Sequence, residues 1–137
     1  MGRIAAVDFG TARIGLALSD ERKIVALPQP YLKAGKTPQE SAQIVMAELA
    51  KHGPIETVVI GLPLRLNGKD SPSTTLVREF AACFTLPVVL LDERLTTSQV
   101  NKLMKEAEVS RKKRAQHADS LSATLLLQTF LQSRCSN

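Results

Sequence analysis

Carboxylates stand where they could do chemistry. Asp8 ends the apolar run Ile4-Ala5-Ala6-Val7 and leads through Phe9 into Gly10, and Asp92 and Glu93 end a second apolar run, Val88 to Leu91. Asp119 opens a helical pattern in which Ser122, Ala123, Leu126 and Phe130 follow at i+3, i+4, i+7 and i+11, which turns it toward a sheet rather than into solvent. A charge at the end of an apolar strand must be paired, hydrated or metal-bound. Several carboxylates in a small volume need either protons or a divalent cation. Oxygen-only ligation favours Mg2+ or Mn2+ over zinc. Two such ions about 4 Å apart activate a water and stabilise the leaving oxygen of a phosphodiester. The candidate metal ligands are therefore Asp8, Asp92, Glu93 and Asp119. Each also has a plainer reading. Asp8 is a turn former beside Gly10. Asp92 opens a turn and Glu93 pairs with Arg94. Asp119 is a first-turn acid serving a helix dipole.

The elements that must position these acids follow from pattern and punctuation. Residues 3–8 read as a buried strand, Gly10 as a turn and 14–19 as its antiparallel partner. The segment 20–23 is a polar turn before a third short strand over 24–28. The period then changes. Thr37-Pro38-Gln39-Glu40 carries a cap, a proline at the first helical position and a capping-box acid, and Gly53-Pro54 stops the helix. Residues 56–63 are a buried strand, and a helix from about Ser73 sets Leu76, Val77, Phe80 and Ala81 on one face. Residues 87–94 are another buried strand. Thr96 and Gln99 form a second capping box ahead of Val100, Leu103, Met104 and Ala107, and a last helix runs from about His117 to Gln132. Strands joined through helices are parallel, because the crossover is right-handed. The expected fold is α/β: a ribonuclease-H-like mixed five-stranded sheet with helices on both faces, its first three strands antiparallel and its fourth and fifth parallel. The carboxyl ends of the parallel strands then gather Asp8 with Asp92 and Glu93, at the edge where open α/β sheets bind ligands.

Composition narrows the class. The 137 residues, 44% hydrophobic and 23% charged, fit one domain over 1–137 and argue against disorder. Only the basic stretch near Arg111 and the tail after about 132 read as loose. No apolar run approaches the roughly 20 residues that span a bilayer, so no membrane partner is expected. Cys83 and Cys135 form no metal-binding spacing; Cys83 reads as a buried, inert thiol on a helix face, and the chain as cytoplasmic. The net charge of +5 favours polyanions. One Tyr, four Phe and no Trp give little means of stacking on bases, so recognition of a backbone fits better. The candidate nucleic-acid contacts are Arg13, Arg65, Lys69, Arg94 and the block Arg111, Lys112, Lys113 and Arg114.

The stretches VDFGTARIGLALSD, VVIGLPLRLNG, LDERLTT and HADSLSATLLLQTFL, in that order, resemble the motifs of the YqgF/RuvX family. That family has a ribonuclease-H-like fold and is described both as Holliday junction resolvases and as nucleases maturing the 5′ end of 16S ribosomal RNA precursors. The resemblance implies Asp8, Glu93 and Asp119 as catalytic metal-binding acids, with Asp92 beside them. It implies a metal-dependent hydrolase acting on pre-16S rRNA or on branched DNA, as a monomer or homodimer, with possible association with a ribosomal subunit. At one point the chain departs from better-known resolvases of this fold. Gly61-Leu62-Pro63 follows the fourth strand where a second acid is often found, and the acid has moved to Asp92-Glu93. Other readings are a Holliday junction resolvase, which needs a symmetric dimer, and a ribosome-assembly factor that binds RNA without cutting it. The segment DFGTARIG also resembles the phosphate hairpin of sugar kinases, but those enzymes close their site with a second domain.

Overall fold

A computed structural model describes residues 2–65, 67–93 and 121–135. Strand β1 (Arg3–Asp8) lies at the centre of a five-stranded sheet, between β2 (Arg13–Ser19) and β4 (Ile55–Leu62). Strand β3 (Ala26–Lys33) flanks β2 and β5 (Val88–Asp92) flanks β4, giving the order β3-β2-β1-β4-β5. The β1–β2 and β2–β3 pairs are antiparallel, with Asp8 opposite Gly15 and Arg13 opposite Lys33. The β1–β4 and β4–β5 pairs are parallel, with Val7 opposite Ile60 and Gly61 opposite Leu91. This is the expected mixed sheet.

Ile4 to Val7 are fully buried because both faces of β1 are covered. Alternate residues divide between two cores. Ala5, Val7, Ile14, Leu16, Val58 and Ile60 meet Val45 and Leu49 of α1 (Pro38–Ala50) and Val77 and Phe80 of α2 (Pro72–Ala82). Ile4, Ala6, Ala17 and Val59 meet Ala123, Leu126, Leu127 and Leu131 of α3 (Leu121–Cys135) on the other side. Helix α1 begins as its sequence demands, Glu40 N–H donating to the Thr37 hydroxyl at 3.1 Å. The Glu40 carboxylate reaches back to Lys36 N–H (3.3 Å) rather than to the cap itself. Helix α2 has a complete capping box between Ser71 and Thr74, and the Thr74 hydroxyl also donates to the carbonyl of Pro63, tying α2 to the exit of β4.

Several expectations are corrected. The third strand begins at Ala26 and runs to Lys33, through Pro28 and Pro30. An outer strand tolerates proline because the lost N–H faces away from the ladder. Ile24 and Val25 belong instead to the preceding loop, 64% and 51% exposed, and their N–H groups donate to Asp20 Oδ1 at 2.7 and 2.9 Å. Lys23, with φ of 61°, makes that turn possible. Strand β5 is shorter than 87–94 and only half-covered, with Val89 and Leu90 each 37% exposed, as befits the other end of the sheet order. Cys83 is the C-cap of α2 and only partly buried, its thiol donating to the carbonyl of Glu79 at 3.2 Å. Helix α3 continues through Cys135, so the chain just after 132 is helical. Arg134 in that last turn suits the helix dipole and lies 6.0 Å from the Phe130 ring centroid. The expected capping box at Thr96 and Gln99 and the helix after it lie outside the described residues.

Candidate active site

The alternation that divides the two cores also aims the acids. On β1, Ala5 and Val7 face α1 and α2, so Asp8 faces α3. On β4, Val58 and Ile60 face α1 and α2, so Gly61 faces α3. Glu93, one residue past β5, brings its carboxylate directly over Gly61. A Cβ built on Gly61 would lie 2.6 Å from Glu93 Oε1, 3.2 Å from Glu93 Cγ and 2.8 Å from Leu126 Cδ1 of α3. The carboxylate occupies the space that any side chain on β4 would fill there. Only glycine leaves it open. Asp92 has the parity of Val88 and thus belongs to the opposite face, which separates it from Asp8. The turn after β1 closes tightly, a Cβ on Gly10 lying 2.5 Å from the carbonyl of Arg13, and Asp8 is thereby held at its start.

Both acids of the pair are reluctant to ionise. Burial raises Asp8 above the usual carboxylate range. Glu93 is pushed up to about 7, first by burial and then by the charges of Asp8 and Asp92. A buried carboxylate whose charge opposes the ionisation of a sheltered neighbour is what a cation would relieve. Among the described residues no group of three His, Cys, Asp or Glu side chains is close enough to hold a metal ion. Asp119 lies outside the described residues, two positions before the helix that sets Leu126 against Gly61.

The cationic candidates divide similarly. Arg13 opens β2 at the same edge of the sheet as Asp8, its guanidinium 4.4 Å from the centroid of the Tyr31 ring. Arg65 and Lys69 face each other across the turn after β4, Arg65 N–H donating to the Lys69 carbonyl at 2.9 Å. Arg94, Arg111, Lys112, Lys113 and Arg114 lie outside the described residues. Leu126 is a part of the site that the sequence does not mark as such. Gly61 at a strand end signals close approach, but nothing local says that the approaching group is the Glu93 carboxylate.

The profile of the RuvX family, described as Holliday junction resolvase, matches residues 2–133. The chain belongs to the RuvX family. Its relatives include proteins that carry the name "Putative pre-16S rRNA nuclease". The protein from Koribacter versatilis is 46% identical over 138 residues, spanning 97% of this chain and 88% of its own. That from Protochlamydia amoebophila is 41% identical, spanning 97% and 95%. Among solved structures, T. thermophilus RuvC in complex with Holliday junction substrate superposes with a TM-score of 0.58 at 16% identity, covering 98% of this chain and 96% of that one. Fowlpox virus resolvase in complex with Holliday junction DNA gives 0.55 at 13% identity, covering 96% and 98%. These distant likenesses show the ribonuclease-H-like fold in this RuvX-family chain. Among the described residues no helix is long and apolar enough to cross a membrane.

Proposed function

We propose that the chain is a divalent-metal-dependent endonuclease that hydrolyses phosphodiester bonds in structured RNA, as in 5′-end maturation of pre-16S rRNA in the cytoplasm. The observation that carries this reading is the Glu93 carboxylate standing over Gly61, where burial and the charge of Asp8 oppose its ionisation, while burial raises Asp8 as well. The names of the relatives support the substrate. The donor set fits Mg2+ or Mn2+, being carboxylate oxygen in a sheltered setting. Asp8 and Glu93 are the ligands, with Asp119 as the third acid; Asp92 acts on Glu93 by its charge from the other side of the sheet. Bound cations would supply an ionised water and countercharge for the leaving oxygen, in the manner of two-metal sites.

The chain's own residues do the remainder. Asp8 and Glu93 present fixed anionic oxygens, and Leu126 walls Glu93 against the sheet. The cations at the same edge hold the substrate backbone, whose recognition needs no base stacking. Cleavage of a four-way DNA junction is the second reading, supported by the family description. A pre-16S rRNA fragment and a synthetic junction, offered side by side with Mn2+ and with Asp8→Asn as control, separate the two. Asp8-dependent cleavage of the RNA alone supports the maturation nuclease, and cleavage of the junction alone makes the chain a resolvase. Binding of RNA without cleavage of either makes it an assembly factor, acting on the ribosomal subunit.

A further inference from the structure

In their pairing order the strands bring Lys33, Arg13, Asp8, Gly61 and Glu93 to one edge of the sheet, on the face that carries α3. Charge changes sign along that row, from cations on β3 and β2 to acids on β1 and just past β5. Arg13 and Lys33 stand directly opposite each other in the ladder, a juxtaposition of like charges that weakens a sheet. Among the described residues neither makes an ion pair with a carboxylate. The Arg13 guanidinium is held instead over the Tyr31 ring, which orients it without neutralising it. A polyanion lying across this edge would offset the two adjacent positive charges.

We propose that Arg13, Lys33 and Tyr31 form a track for the phosphodiester backbone of the substrate, which crosses the carboxyl edge of the sheet from β3 toward the acid pair. That track presupposes the nuclease reading of Asp8 and Glu93. Arg13 lies one strand over from Asp8 and two residues beyond its partner Gly15, so ladder spacing puts the two Cα atoms about 8 Å apart. With one phosphate per 3.4 Å or so of axis along a strand, the cations meet the backbone on the order of two to three nucleotides from the bond the acids face. Tyr31 is the single tyrosine of a chain without tryptophan, so its own emission reports what lies on the track.

The test titrates the full chain, in EDTA so that nothing is cut, with a fluorescein-labelled RNA stem-loop across a series of KCl concentrations. Losing two phosphate contacts in the double variant Arg13→Ala, Lys33→Ala should weaken binding about tenfold at moderate salt. It should also make the slope of log K against log [KCl] shallower by about 1.4 to 1.8. Arg13→Lys with Lys33→Arg keeps the slope, which separates charge from fold. With unlabelled RNA, Tyr31 emission should change over the same titration, read against Tyr31→Phe as blank. An unchanged slope with unmoved emission overturns the track. Mn2+-dependent cleavage by wild type and Asp8→Asn, run alongside, keeps the two ideas apart. Asp8-dependent cutting with an unchanged slope removes the track and leaves the nuclease. A shallower slope without Asp8-dependent cutting removes the nuclease and leaves a nucleic-acid-binding edge.

Discussion

Glu56 and Glu93 are the same side chain at opposite ends of one sheet, and they are treated in opposite ways. Glu56, at the start of β4, receives Lys23 Nζ at 2.9 Å and has Arg134 Nη1 at 3.8 Å. The Lys23 hydrogen bond above all, with the charges of Lys23 and Arg134, lowers its pKa. Glu93 is sheltered against Leu126 and shares its surroundings with Asp8 and Asp92, and it is pushed up to about 7. At the first end, cations from a loop and from the end of α3 offset the charge of the acid and tie the helix to it. At the second, the chain gathers acids whose burial and mutual charge raise the pKa of Glu93. A carboxylate whose pKa is lowered by cations reads as structural, and one raised by burial and neighbouring acids as functional.

The comparison is most sharply broken by exchanging charge for isostere. Asp8→Asn and Glu93→Gln should each reduce Mn2+-dependent cleavage on the order of 10³-fold while the protein stays folded. Cleavage at the wild-type rate by either would show that the end with Glu93 is not the active one. Gly61→Ala comes next. The methyl must displace the Glu93 carboxylate, which ends a flexible side chain, so cleavage should fall at least about tenfold with little change in melting temperature. A melting temperature that collapses would instead make Gly61 a requirement of the fold.

A smaller effect concerns stability in EDTA. Folded Glu93 takes up its proton at about 7 against an ordinary value of 4.5. Between those values the folded chain holds more protons than the unfolded one, so stability falls as pH rises through that window. Glu93→Gln should remove that dependence and gain about 2 kcal/mol above pH 7, with solvent screening allowed for. Denaturant titrations at pH 5 and pH 8 read it directly, and parallel curves for the two proteins would contradict it. The smallest effect belongs to the other end. Lys23→Ala should lower the melting temperature slightly and leave cleavage untouched; a lost activity there would mean that the two ends are coupled.

Much of this was legible in the sequence because it is local. Thr37-Pro38-Gln39-Glu40 starts a helix by backbone chemistry alone, and the apolar run into Asp8 is a central strand ending at an edge. What was not legible depends on partners far along the chain. The expected third strand ends at Pro28, and only its place at the edge of the sheet explains how β3 runs on through Pro30. Asp92 and Glu93 are neighbours in sequence, and only the parity of β5 and the contact over Gly61 assign Glu93 to the Asp8 face. Cys83 sits at helical spacing from Leu76 and packs against the core, but as the C-cap of the helix it is only partly buried.

The contact over Gly61 has a bearing on how the chain folds. Strands β1, β4 and β5 are parallel, and each joins its neighbour only through a long crossover, the slow kind of pairing. A slip of β4 by one residue would exchange Gly61 for Ile60 or Leu62 beneath Glu93 and turn every side chain of the strand to the wrong layer. Such a molecule could keep its strands and helices yet have no room for the second acid. Turnover per mole of protein then depends on the fraction of molecules whose β4 is in register, a fraction that native circular dichroism does not report.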